Sequence, residues 1–236
     1  MRAGHLACLL RASALVTACG AWGGIAYAGP VVTARIGTAP APFGLLDLGS
    51  SPAGTNGLVT TLAITTPDVT ITFDNPGGQA HQAGVYTGNV ANVVNSPFSD
   101  IGQPATKNYL AAEPGANVVM TYNAPQTSFG LLWGSVDSYN DVVFSFDGTK
   151  ITGQQIVNDV PGLASGTDAA YVEITGLTAF TTVTLESIGS PAFEFVPDPA
   201  AVPEPASLAL LGFGVLGLGA IRRGPGLLNA VRRLVV

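Results

Sequence analysis

The sequence predicts an all-β protein, an antiparallel β-sandwich of jelly-roll type, with an apolar segment at each end of the chain. Apolar and polar residues alternate with period 2 in the central region, as in residues 69–73 and 118–122, which is the pattern of half-buried strands. Glycine and proline recur in turn clusters between these runs, such as residues 74–78. Charged residues make up only 10% of the chain, which excludes a coiled coil or a charged helical bundle.

Ten short segments are candidate strands, because each is rich in β-forming residues and turn signals separate them. In chain order they are residues 31–36, 58–64, 69–73, 118–122, 128–133, 141–146, 149–156, 170–175, 181–188 and 192–195. Asp147-Gly148 is the clearest hairpin turn, between the sixth and seventh of these segments. Residues 79–115 are polar and weakly patterned, so we expect a long binding loop or an irregular sheet edge there.

The central region is strongly acidic. Residues 29–205 contain all 15 Asp and Glu residues but only three basic residues, Arg35, Lys107 and Lys150, which gives a net charge of −12 against −6 for the whole chain. Such a charge repels nucleic acid, so we expect no nucleic-acid partner. It attracts divalent cations or basic partners, and it also keeps an exported protein soluble. Both interpretations stay open.

The first 28 residues have the features of a secretory signal peptide. A short basic start precedes an uncharged apolar run over residues 12–28, which ends in a small-x-small pattern at Ala28. Signal peptidase accepts only small side chains there, so we expect cleavage between Ala28 and Gly29. Two alternatives stay open, an uncleaved membrane anchor and lipidation of Cys19. Ordinary cleavage removes Cys8 and Cys19, the two cysteines of the chain, and so excludes disulfides, thiol catalysis and cysteine-bound zinc.

The C-terminal apolar segment is a short candidate transmembrane helix. Residues 206–221 carry no charge and are followed directly by Arg222 and Arg223. At about 1.5 Å per residue this helix is about 24 Å long, so it spans a hydrocarbon core of about 30 Å only if the bilayer thins or flanking residues snorkel. Because basic residues stay on the cytoplasmic side, the two arginines orient the helix. We therefore expect residues 222–236 to form a cytoplasmic basic tail.

A glutamate between two prolines precedes this helix. Val202-Pro203-Glu204-Pro205 cannot extend the helix backwards and stays extended at the outer membrane face, where a protease can reach it. This motif, followed by a Gly-rich apolar helix and a basic pair, resembles the PEP-CTERM sorting signal of Gram-negative bacteria. The resemblance implies recognition by exosortase, a membrane-embedded cysteine protease, with removal of the anchor and delivery outside the cell, often in bacteria that make exopolysaccharide.

The central region offers no catalytic constellation. His81 is the only histidine left after removal of the signal peptide, and no nucleophile-elbow motif accompanies it, so neither a catalytic zinc nor a Ser-His-Asp triad is expected. Glu173, Glu186 and Glu194 fall within candidate strands, where alternation places them outward in solvent. We therefore expect no enzyme. A carboxylate-based glycan hydrolase is the remaining enzymatic hypothesis.

The segment from Trp133 to Asp141 contains the most informative candidate site. Its ring faces and oxygen ligands come from Trp133, Asp137, Tyr139, Asn140 and Asp141. In one interpretation the three Asp and Asn side chains bind Ca²⁺, or the rings stack on a sugar whose hydroxyls they bind. In the other, which we favour because the spacing lacks the regularity of an EF-hand, Trp133 lies in the core and Asp137 and Asn140 close Asx-turns.

This Trp-Gly-Ser-x-Asp-x-Tyr-Asn core resembles a group of exosortase-dependent surface proteins, over residues 84–195. The resemblance implies a location and no activity. We thus expect a signal peptide in residues 1–28, a sandwich domain in 29–198 and a sorting signal in 199–236. The expected function is that of a non-enzymatic surface or extracellular-matrix protein of a biofilm, which begins as an inner-membrane-anchored precursor. The alternative is a carbohydrate-binding module for exopolysaccharide, with or without calcium.

Overall fold

Thirteen antiparallel strands form two sheets in the part of the chain that the structure describes. The structure is a computed structural model, and it describes residues 29–37, 44–77, 82–144 and 148–198. The predicted signal peptide and the predicted sorting signal both lie outside the described residues. No helix within the described residues is long and apolar enough to cross a membrane.

In chain order the strands are β1 (Val31–Ile36), β2 (Leu58–Thr60), β3 (Ile64–Thr65), β4 (Val69–Asp74), β5 (Gly84–Tyr86), β6 (Tyr109–Ala112), β7 (Asn117–Gln126), β8 (Phe129–Trp133), β9 (Asn140–Phe144), β10 (Lys150–Thr152), β11 (Ala170–Thr175), β12 (Phe180–Ser187) and β13 (Phe193–Asp198). Between them lie two short helices, α1 (Pro97–Asp100) and α2 (Gly153–Asp159), and a 3₁₀ turn (Thr55–Gly57). The strand order is β1-β11-β8-β13-β6-β5-β2 in the seven-stranded sheet and β10-β9-β12-β7-β4-β3 in the six-stranded sheet. The predicted all-β sandwich is confirmed.

The two sheets share one hydrophobic core. The six-stranded sheet turns alternate residues of β4, β7 and β12 inward, among them Met120 and Leu185, which are fully buried. Thr121, the neighbour of Met120, is exposed, as period-2 alternation requires. The seven-stranded sheet contributes Trp133, Phe193 and other side chains of β8 and β13 to the same core. The segments in which apolar and polar residues alternate therefore form the strands of the six-stranded sheet and part of the inner face of the seven-stranded sheet.

The seven-stranded sheet is buried on both faces in its middle. Every residue of β8 and β13 is buried, and a second apolar cluster covers the outer face with Tyr86, Tyr109, Leu132 and Val196. The segment that contains α1 lies over this cluster and inserts Phe98 into it. Strands buried on both faces carry continuous apolar runs instead of alternation, and the sequence of β8 is such a run.

Three predicted elements differ from the structure. The candidate strand 58–64 is divided into β2 and β3, which belong to different sheets. The candidate strand 149–156 ends at Thr152, where α2 begins, because the Thr152 hydroxyl accepts from the Gln155 N–H and the Gln155 side chain accepts from the Thr152 N–H. Such a capping box starts a helix. Residues 79–115, predicted to be a loop or an irregular edge, contain β5, α1 and β6. The predicted hairpin is present in the pairing of β9 with β10, with Lys150 opposite Val143.

Candidate ligand-binding cleft

A polar cleft of about 400 Å³ opens where β8 ends and β13 begins. One wall is the segment 89–95, and the opposite wall comes from the turn after β8 and from residues 191–194. Side chains that carry its chemistry are Asn92, Ser135, Asp137, Tyr139 and Glu194. Its volume lies in the range of small-ligand sites, about 300–1,000 Å³.

The turn between β8 and β9 is fixed from both sides by backbone hydrogen bonds. The Gly134 N–H donates to the Glu194 carbonyl at 2.8 Å, and the Val136 N–H donates to the Asp168 carbonyl at 2.9 Å. Ser135 between them has a φ of 32°, in the left-handed region that few non-glycine residues adopt. These hydrogen bonds fix the turn, and Asp137 and Tyr139, which follow Ser135 in the chain, line the cleft.

Asp137 and Tyr139 form the polar pair of this turn. The Tyr139 hydroxyl lies 2.8 Å from Oδ2 of Asp137 and 3.0 Å from the Pro191 carbonyl oxygen. Partial burial raises the pKa of the Asp137 carboxyl above its ordinary value, and the hydrogen bond to Tyr139 opposes this shift. These two members of the predicted site therefore line the cleft, and Asp137 offers it an acceptor.

The structure adds Glu194, which the sequence analysis placed in solvent. That prediction is wrong, because the Glu194 side chain is only 3% exposed. Its Oε1 accepts from the Asn95 N–H at 2.7 Å and its Oε2 accepts from the Ser135 hydroxyl at 3.4 Å. The pKa of this carboxyl is raised to about 8, chiefly by burial and to a smaller extent by the charges of Asp137 and Glu113, while backbone hydrogen bonds, among them that of the Asn95 N–H, oppose the shift. A titratable group with a perturbed pKa in a cleft is a candidate functional residue.

A sequence signal for the burial of Glu194 exists. Residues two apart in a strand share a face, and Ala192 and Val196, the neighbours of Glu194 on its face, are both apolar. Phe193 and Phe195 occupy the other face and are fully buried. Since both faces of this strand carry apolar residues, the strand is predicted to be central and not half-exposed.

The other three predicted site residues lie away from the cleft. Trp133 is fully buried and packs on Phe193 with ring centroids 4.4 Å apart. The favoured interpretation of Trp133 as a core residue is therefore confirmed, and the alternative, in which the ring stacks on a sugar, does not fit a fully buried side chain. Asn140 is buried and its amide donates to the Ala192 carbonyl at 3.1 Å. Asp141 forms an ion pair with Lys150 at 2.6 Å.

A main-chain hydrogen bond, and not an Asx-turn made by the side chains, closes the turn between Asp137 and Asn140. The Asn140 N–H donates to the main-chain carbonyl of Asp137 at 3.2 Å, while both side chains contact other partners. The calcium interpretation would require several oxygen ligands in one place. Within the described ranges, no three His, Cys, Asp or Glu side chains are grouped as metal ligands.

The comparisons with known proteins concern the C-terminal end of the chain. Residues 201–223 match the family described as the PEP-CTERM protein-sorting motif. The match covers the predicted processing motif Val202-Pro203-Glu204-Pro205, the apolar segment 206–221 and the basic pair Arg222 and Arg223. Searches against curated proteins and against solved structures gave no match.

The chain is therefore a surface protein that is sorted by exosortase. The motif indicates an exported, membrane-anchored precursor that is directed to the cell surface, with exosortase as its processing partner.

Proposed function

We propose that this chain is a non-enzymatic component of the extracellular matrix, as found in a biofilm, that exosortase releases from its membrane anchor. The observation that carries the proposal is the match of residues 201–223 to the sorting motif. Signal peptidase cleavage after Ala28 supplies the mature N-terminus at Gly29. The acidic, polar surface suits a domain that works in an extracellular polysaccharide layer.

The position of the motif supports release of an intact domain. The last strand, β13, ends at Asp198, and the motif begins only a few residues later, at Val202. β13 lies between β8 and β6 in the middle of its sheet, so its loss would open the core. A cut close to Glu204 removes none of the thirteen strands, and the domain leaves the membrane folded.

This proposal is tested by following the protein through membrane, matrix and culture-medium fractions of the producing bacterium. We expect the wild-type protein in the matrix and Glu204→Ala in the membrane fraction, because the altered motif no longer directs processing. Glu173→Ala, which removes an exposed carboxylate of β11, is the matched control and follows the wild type. Equal distribution of Glu204→Ala and wild type, or turnover of a polysaccharide by the purified protein, contradicts the proposal.

A second candidate function is carbohydrate binding, and the cleft favours it. Asp137, Tyr139, Ser135 and Glu194 converge there, which gives the directional acceptors and donors that sugar hydroxyls need. Binding to exopolysaccharide of the producing cells is measured by pull-down. Asp137→Ala should lose retention, while Asp68→Ala, an exposed carboxylate outside the cleft, should keep it. Equal retention of the two variants contradicts a role for the cleft.

A further inference from the structure

The cleft contains buried carboxyl groups and lacks a cation. Glu194 is 3% exposed and Asp137 is half-buried, and no Lys, Arg or His lines the cleft. The structure describes three basic residues. Arg35 lies in β1 at the edge of its sheet, Lys150 is paired with Asp141 and Glu186, and Lys107 lies over Phe98. None of the three lines the cleft. The cleft therefore repels anions and suits a positively charged group.

A third carboxyl group lies on the same face of the sheet. In the pairing of β13 with β6, Glu194 is opposite Ala111 and Phe193 is opposite Ala112. Glu113 directly follows β6, and the same register continued by one residue would bring it beside Ala192, which lines the cleft. Glu113 is fully buried, and among the described residues neither of its carboxyl oxygens has a hydrogen-bond partner. An uncompensated buried carboxyl group is costly unless it binds a proton or a cation.

The remaining polar groups of the cleft indicate whether the bound cation belongs to a lysine side chain or to an amino sugar. An ammonium group has three N–H donors and can be shared between the carboxyl groups. The wall 89–95 contributes the exposed Asn92, and the hydroxyl of Tyr139 lies on the opposite side. A lysine side chain would present only methylene groups to these polar atoms and leave them unpaired. A sugar ring presents hydroxyls to them.

We propose that the cleft binds a saccharide residue with a free, protonated amino group, which Glu194 and Asp137 hold between them. The inference deepens the second candidate function, carbohydrate binding by the cleft, and rests on it. Burial keeps Glu194 largely protonated and Glu113 partly protonated in the free domain at pH 7, so binding of the ammonium group shifts both toward their ionised forms. Ionised Glu113, behind the pair, then favours the cation on the same face of the sheet. An acetylated amino sugar has no positive charge and loses this interaction.

Titration calorimetry with a matched pair of oligosaccharides tests the proposal. The probes are the tetramer of glucosamine and the tetramer of N-acetylglucosamine, added at pH 7 to the exported protein purified from the producing cells. Charge-assisted hydrogen bonds are worth enough to make the free-amine tetramer bind at least about tenfold more tightly. Glu194→Gln and Asp137→Asn should each remove about that factor for the glucosamine tetramer and leave the acetylated tetramer little changed.

Two controls separate this effect from loss of the fold. Glu173→Gln and Asp68→Asn remove exposed carboxylates elsewhere and should bind as the wild type does. Glu194→Gln keeps the shape of the side chain. Its amide oxygen can accept from the Asn95 N–H and its NH₂ group can donate to the Ser135 hydroxyl, so its thermal midpoint should not fall. Equal binding of the two tetramers overturns the amine proposal while carbohydrate binding stands. Absence of binding to both of them, and to the cells' own polysaccharide, overturns both.

Discussion

Two buried carboxyl groups, Glu113 and Glu194, control how the domain responds to pH. Burial raises the pKa of Glu113 to about 7 and that of Glu194 to about 8. Both groups therefore hold a proton in the folded protein at a pH at which the unfolded chain has lost it. Under linkage, stability falls with rising pH wherever the folded state binds more protons than the unfolded state.

We predict that the free energy of unfolding falls between about pH 5 and pH 8, by on the order of a few kcal/mol. Glu113→Gln should make the decline below about pH 7 shallower, because the amide cannot ionise. Glu194→Gln should do the same below pH 7 and should also abolish the decline between about pH 7 and pH 8, where only Glu194 still titrates. Urea unfolding across this pH range measures the effect. The exposed Glu173→Gln should follow the wild-type curve. A wild-type stability that rises over the same interval would contradict the buried, protonated state of these groups.

Trp133 gives a direct optical test of the core. The chain has two tryptophans, Trp22 and Trp133, and removal of residues 1–28 leaves only Trp133. We predict a blue-shifted emission that acrylamide quenches weakly, because the ring is fully buried. Trp133→Ala should destabilise the protein by about 3–5 kcal/mol. Leu62→Ala, at a side chain that is 76% exposed, should change stability by less than about 0.5 kcal/mol. A red-shifted, easily quenched emission would show that the ring faces solvent.

The residue scale also shows why some site residues escaped prediction. Asp137 and Tyr139 were found because a polar turn after an apolar strand is visible in the sequence. Glu194 was missed because its burial depends on a cover that comes from residues 90–101, distant in the chain. The register that would bring Glu113 beside Ala192 is set by strand pairing across about 80 residues and leaves no local signal.

At the scale of elements, the contact between β8 and α1 closes one side of the cleft. A Cβ on Gly134 would lie 2.8 Å from the Cβ of Pro97 and 3.1 Å from its Cα, closer than packed side chains approach. Pro97, the first residue of α1, therefore packs directly against the main chain of Gly134, the residue that follows β8. The segment 89–95 precedes α1 and is joined to β13 by the hydrogen bond from the Asn95 N–H to Glu194.

Gly134→Ala should push α1 away and destabilise the domain by about 1–3 kcal/mol, as overpacking does. Because the wall 89–95 moves with α1, the same variant should weaken ligand binding at the cleft. Gly77→Ala is the matched control, since a Cβ there meets nothing within 4 Å. Chemical denaturation and calorimetry measure both effects. Unchanged stability and binding in Gly134→Ala would contradict this account of the wall.

Secondary-structure elements were predictable from the sequence where the local pattern of apolar and polar residues matches the burial of the element. β1 and β11 begin and end where the sequence predicts them, at 31–36 and 170–175, because alternation and flanking turns coincide there. The helix α2 was missed because a capping box spans only residues 152–155 and the helix is too short to show a helical apolar stripe. Strands β5 and β6 were missed because small and polar residues surround them.

At the scale of the whole molecule, the cleft lies at the start of β13, and the chain leaves the described domain at the other end of this strand. Ala192 and Glu194, at the start of this strand, line the cleft, and Asp198 at its end leads to the sorting motif. At about 3.4 Å per residue the two ends of the strand are about 17 Å apart. Every residue that lines the cleft precedes Asp198 in the chain, so we expect a cut near Glu204 to remove none of them.

The two-sheet architecture was predictable from composition and periodicity, because both report burial on one or two faces of a strand. The strand order within each sheet was not, because pairs such as β1 with β11 join segments more than 130 residues apart. The sorting motif over residues 201–223 was predictable, since it is read as a linear motif and needs no fold.

The intact mass of the mature protein tests the central claim most directly. We predict that the product from wild-type cells begins at Gly29 and ends near Glu204, and that cells without exosortase keep residues 206–236 on a membrane-bound form. Recovery of a wild-type product that still ends at Val236, or the same mass from both strains, would contradict sorting and release by exosortase.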